Sequence, residues 1–166
     1  PVEGVDPVLV ARMVVGLRRR SDTVVPLQTP RRDREGELPD GTVIGIDRHA
    51  GGNSQLVRSK PPYTEWDRNS LDRFIGGPLL VKWGGHLIVG GRKITTDQGP
   101  KTSLCWLLGA QLQEFAELPS GGDNSYPGFI ALSPTRALVS YYSSHEKDDA
   151  GRTITAIYMA ELTMKP

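Results

Sequence analysis

A tight turn, a short β-prone run and an arginine recur along this chain, and no other feature narrows its fold so far. LPDG (38–41) leads into TVIGI (42–46), and Arg48 stands seven residues after Gly41. GG (84–85) leads into HLIV (86–89), with Arg92 seven residues after Gly85. PTR (134–136) leads into ALVSYY (137–142), with Ser143 seven after Arg136. The copies are offset by 44 and 51 residues. Each is followed by a further strand-like run: SQLV (54–57), TSLCWL (102–107) and TITAIYMA (153–160). Two are preceded by apolar runs opened by glycine or proline, GGPLLVKW (76–83) and YPGFIAL (126–132). A unit of about 45 residues holding three or four short antiparallel strands has the length and content of a β-propeller blade. The same strands suit a β-sandwich as the second architecture.

Composition agrees with an all-β chain and removes several function classes. Gly 19 and Pro 13 together are heavy in turn formers for 166 residues, which argues against a helical bundle. Twenty basic against nineteen acidic side chains leave a net charge of +1, so no nucleic-acid partner is expected. Cys105 is the single cysteine, which excludes an internal disulfide framework and a cysteine-based zinc site. His49, His86 and His145 lack metal spacing, and no metal or other cofactor is expected. No apolar run approaches the ~18 residues of a membrane helix, and no membrane partner or signal peptide is expected. Residues 1–37 differ from the rest: of seven arginines (12, 18, 19, 20, 31, 32 and 34), one lies inside and six follow VLVARMVV (8–15), a strand or short helix. That segment reads as part of a preceding blade or a linker, its arginines as a solvated turn or a phosphate contact. Residues 38–166 carry the blades.

The repeat also makes a geometric prediction. In an antiparallel meander the start of the first strand, the end of the second and the start of the third share one edge. Asp123 and Tyr126 stand at the start of a first strand, Arg48 and Arg92 at the ends of second strands, and Asn53 just before a third. His145 and Glu146 follow the second strand of the last copy. Two arginines, a tyrosine and an aspartate are thus expected to converge on one face. The plainer alternatives are Tyr126 packing beside Pro127, solvated strand-end arginines, and Asp123 capping its own turn. Trp66, Trp83 and Trp106 read as filler between sheets, and Cys105 as an inert buried thiol.

These residues resemble those of the sialidase-like (neuraminidase, BNR-repeat) β-propellers, particularly bacterial exo-sialidase-like hydrolases. The likeness rests on LPSGGDNSYPG (118–128), VSYYSSHE (139–146), GGP (76–78) with Gly91 and Arg92, and LPDG (38–41) with Arg48. SKPPYTEW (59–66) is similar in outline to the family's Asp box, with Pro61 and Tyr63 in place of its aspartate and glycine. The resemblance implies about three four-stranded blades here, roughly half of such a ring, completed by a companion propeller half or a homodimer. It implies hydrolysis of a terminal acidic sugar, with Tyr126 as nucleophile and Glu35, or its neighbours Asp33 and Glu37, as the carboxylate that assists it. Arg48 and Arg92 match two of the three arginines that grip the substrate carboxylate, with Asp123, Asn53, His145 and Glu146 lining the pocket. The other class of function open to such a chain is a non-catalytic carbohydrate-binding or protein-interaction propeller.

Overall fold

The structure, a computed structural model, describes residues 12–14 (backbone only), 40–49 and 51–164. Among these there are eleven β-strands and no helix. They form three antiparallel sheets. The first holds β2 (Val43–Asp47), β3 (Gln55–Ser59) and β4 (Asp67–Ser70). The central sheet is a meander of β5 (Gly76–Trp83), β6 (His86–Thr95), β7 (Gly99–Leu108) and β8 (Gln111–Leu118). The last sheet runs β9 (Asn124–Ser133), β10 (Arg136–Lys147) and β11 (Thr153–Thr163), with β1 (Arg12–Val14) added outside β11. The expected strand at 8–15 is therefore described only at Arg12–Val14, paired to the last strand, with Met13 opposite Ala160.

The repeated turn has a steric cause. β5 and β6 are joined by Gly84 and Gly85, at φ +57° and +84°, with Trp83 paired to His86 across the ladder. Both central residues of such a two-residue turn need positive φ, which glycine adopts without a Cβ clash, and the turn's twist then matches that of the strands.

Side-chain alternation makes the central sheet two-faced. Ile88 and Leu104 belong to one apolar cluster, whereas their sequence neighbours Val89 and Cys105 belong to another. The first cluster joins the central sheet, through Val81, Trp83 and Leu118, to Val139, Tyr141 and Leu162 of the last sheet. The second joins it to Leu56 and Leu71 of the first sheet region. A strand buried on both faces reads as a continuous apolar run, which is why LCWLL at the end of β7 lacks polar alternation. Each fully buried leucine here is worth about 1.5–3 kcal/mol of removed apolar surface. Trp83 stacks on Trp106 with centroids 6.3 Å apart and donates its indole N–H to the Ser133 carbonyl at 2.8 Å. That bond reaches from the central sheet to the last. β5 packs against β9 on one side and β2 on the other, so the three sheets stand side by side.

The buried interior carries two acids that resist ionisation. Burial pushes the Cys105 thiol up to about 11 and the Tyr141 phenol up to about 12. Both ionise more readily unfolded, so their contribution is whole below about pH 9 and declines as pH climbs toward the folded values. Urea denaturation at about pH 10.5 is expected to give a stability lower than at pH 8 by on the order of 2 kcal/mol from the thiol alone, and a Cys105→Ala chain is expected to lose less.

Candidate functional site

The meander brings the predicted edge together. Gly76, opening β5, pairs with Arg92 of β6, and Arg92 pairs in turn with Thr102 of β7. In the last sheet Asn124, opening β9, pairs with Ser143 near the end of β10. Buried hydroxyls and one amide fasten this edge across the sheets. Ser54 Oγ accepts the Ile75 N–H at 2.9 Å and lies 3.2 Å from the Arg48 carbonyl. Ser125 Oγ donates to the Gly76 carbonyl at 2.6 Å, and Ser143 Oγ accepts the Gly121 N–H at 3.0 Å. Fully buried Asn124 accepts from Thr102 Oγ1 at 2.9 Å and donates to the Pro100 and Gly122 carbonyls at 3.0 Å each. Buried polar groups so satisfied hold a single geometry, because any slippage leaves them unpaired in low dielectric.

On this frame sits a contiguous strip of functional groups. Arg92 Nη1 donates to Asp123 Oδ1 at 3.2 Å, an ion pair between the central sheet and the loop before β9. The same oxygen accepts the Tyr142 hydroxyl at 3.0 Å, from the last sheet. Burial, and then the hydrogen bond to the Asp123 carboxylate, raises the Tyr142 pKa above the ordinary tyrosine value, so it stays a donor. The ring of Tyr126 stacks on Tyr142 with centroids 6.1 Å apart and planes at 22°. Tyr126 is held at φ +49°, a left-handed conformation rare for an aromatic residue, and is 68% exposed. Strain of this kind clusters where a side chain must be presented in one direction. Arg48, just past β2 and exposed, sits over the ring of Phe74 at 5.7 Å. An exposed phenol, two guanidinium groups and one carboxylate on a single edge can bind an anion bearing hydroxyls, with Arg forks on the anion.

The other predicted residues fall elsewhere or are spent locally. Asn53 lies at the same edge, but donates its amide to the Leu71 carbonyl at 2.9 Å and serves the turn. His145 contacts Ser143 Oγ through Nδ1 at 2.9 Å and leans on Tyr158 with centroids 4.6 Å apart. Glu146 adds to burial in raising the Tyr158 pKa, though the buried Tyr158 hydroxyl has no hydrogen bond of normal geometry. Neither touches the Arg92–Asp123–Tyr142 group. Glu35, with Asp33 and Glu37, lies outside the described residues. Tyr142 and Phe74 were missed by sequence reasoning. The alternation of Tyr141 and Tyr142 on one strand was the available signal for the first, since it sends one ring inward and the other to the opposite face.

A larger cavity of about 800 Å³ opens at the opposite end of β2 and β3, beside Thr42, Arg58 and Asp67. Its lining mixes both signs of charge, with Lys60 lying 3.5 Å from Asp40. It offers an acidic ligand no single-sign field, and the Arg92 edge is the better candidate.

No protein-family model matches the chain, and no curated protein matches it. Its fold is similar to that of a solved structure, a protein of unknown function from Dyadobacter fermentans DSM 18053. The TM-score is 0.61 at 20% identity, over 78% of this chain and 36% of the other. The likeness shows the fold alone, and the chain spans about a third of that structure's length.

Proposed function

We propose that this chain is part of a sialidase-like glycoside hydrolase acting on a terminal acidic sugar, its three sheets being blades of an incomplete propeller. The observation that carries the reading is the strip Arg92–Asp123–Tyr142–Tyr126 with Arg48 at the neighbouring sheet's edge. Arginines there suit the substrate carboxylate, and Tyr126 suits attack on the anomeric carbon beside it. A neutral phenol approaches where an anionic carboxylate nucleophile would be repelled, the reason sialidases depart from the two-carboxylate scheme. Asp123 and the outer end of Arg92 then face the sugar, while Asn53 holds the neighbouring turn.

The phenol needs a base to react at neutral pH. Among the described residues no carboxylate bonds the Tyr126 hydroxyl, and Asp123 Oδ1 is taken by Arg92 and Tyr142. That observation favours the second reading, a non-catalytic carbohydrate-binding propeller, unless Glu35 or a neighbour supplies the base. The companion half enters for a related reason. The outer face of the last sheet exposes Ile130, Leu132, Ile157 and Met159, and Trp66 is exposed beside β2 and β3. Apolar sheet faces of this kind suit further blades, from the rest of a longer chain or from a second copy.

Release of a fluorogenic aglycone from a sialoside by the native assembly is the test. Turnover that Tyr126→Phe abolishes, with binding of the acid retained, is the expected result. Binding without turnover, unaltered by Tyr126→Phe, sinks the hydrolase and leaves the binding module.

A further inference from the structure

We infer that Phe74 is a positioning residue that ties Arg48 and Arg92, from different sheets, into one anion-recognition unit. The inference deepens the acidic-sugar reading and rests on it. Phe74 lies between the first and central sheets, two residues before β5 opens at Gly76. Its ring face carries the Arg48 guanidinium at 5.7 Å. Its ring edge and Arg92 both flank Gly76. A Cβ built at Gly76 would stand 3.3 Å from Phe74 Cε1 and 3.2 Å from Arg92 Nε, so both line the small space that glycine leaves. Arg92 Nε is buried there with no hydrogen-bond partner, although Nη1 of the same group is paired with Asp123. The outer end of the group is thus fixed by Asp123, and its inner nitrogen sits against Gly76 in the space that Phe74 also lines.

The physical consequence is preorganisation. An exposed arginine such as Arg48 has several rotors, and freezing them on ligand binding costs affinity. Attraction between a guanidinium and an aromatic face restricts those rotors beforehand without using a hydrogen-bond donor. The Phe74 face thereby keeps Arg48 near the strip while leaving its donors free for a carboxylate. The ring edge prevents Arg92 from folding back over Gly76. Two cations that repel one another are thus held apart and aligned by a neutral spacer.

The test uses the full chain, N-acetylneuraminic acid as the acidic probe and N-acetylglucosamine as the neutral control. Nuclear magnetic resonance of arginine side chains, with Arg48→Lys for assignment, is expected to show the Arg48 protons shifted upfield by the Phe74 ring. Phe74→Leu is expected to remove that shift and weaken binding of the acid about five-fold, whereas Phe74→Tyr keeps both. Gly76→Ala retains the ring but places a methyl between it and Arg92, and is expected to weaken binding by a similar factor. Should Phe74→Leu prove unfolded, the native Arg48 shift and the Gly76→Ala result carry the test. An Arg48 resonance without a ring shift, or acid binding unaltered in folded Phe74→Leu or in Gly76→Ala, overturns the inference. Failure of the native chain to bind the acid overturns the acidic-sugar reading instead, and the Arg48 shift still decides whether Phe74 positions it.

Discussion

Gly91→Ala is expected to lower the stability of the chain by about 4 kcal/mol. Gly91 lies in β6 at φ +152°, a backbone conformation that L side chains rarely adopt. A Cβ there would stand 2.5 Å from Ile75 Cγ2 and 2.7 Å from the Gly76 carbonyl oxygen. Neither neighbour yields cheaply. Ile75 is fully buried in the cluster between the first and central sheets, and Gly76 is a ladder partner of Arg92. Backbone strain of ~1–3 kcal/mol adds to overpacking of similar size. Gly109→Ala is the control: its φ is +66°, but no atom lies within 4 Å of the added methyl, so about 1 kcal/mol of strain is expected alone. Urea denaturation of the two chains separates the terms. Equal losses would show that β5 moves aside freely at Gly91, and that the edge carrying Arg92 is soft.

Much of this architecture was legible because each strand is announced by local chemistry. GGPLLVKW coincides with β5, the run at 42–46 is one residue out of step with β2, and the runs at 86–89, 102–107 and 153–160 lie inside the longer β6, β7 and β11. SQLV (54–57) starts one residue before β3, since Ser54 is occupied in fastening Arg48 and Ile75 rather than in the ladder. β4 was illegible for a different reason. DRNS has no apolar residue and is exposed throughout, so its place in the sheet is held by pairing with β3 and by nothing in its own sequence. The edge position of Arg48, Arg92, Asp123 and Tyr126 followed from meander arithmetic, which needs only strand order. Side-chain partnerships across sheets do not follow from that arithmetic. Arg92 meets Asp123, and Phe74 meets Arg48, because the sheets pack at particular distances. His145 shows the limit most sharply. Register shifts between Ser143 and Glu146 on the side of β11, and this irregularity accompanies a ring turned toward Tyr158 rather than the strip.

Asn124 is where stability and function are expected to fail together. Its side chain is fully buried and makes three hydrogen bonds, accepting from Thr102 and donating to the carbonyls of Pro100 and Gly122. Asn124→Ala leaves the buried Thr102 hydroxyl unpaired and removes the amide from the part-buried Pro100 and Gly122 carbonyls, a loss expected to cost about 2 kcal/mol. Asn124→Asp keeps the shape and the acceptor but loses both donors, and is expected to be no better tolerated. The functional consequence follows from the neighbour. Asp123 is 69% exposed, and it reaches Arg92 and Tyr142 only because Asn124 pins the backbone beside it. In chains still folded at low temperature, affinity for an acidic sugar is therefore expected to fall more than in Thr95→Ala, a change in the central sheet that breaks only local turn bonds with Gly99 and Gln98. Calorimetric melting alongside titration with N-acetylneuraminic acid reads both. A folded Asn124→Ala chain with native affinity would show that Asp123 is placed by Arg92 alone, and that the buried amide is structural without serving the site.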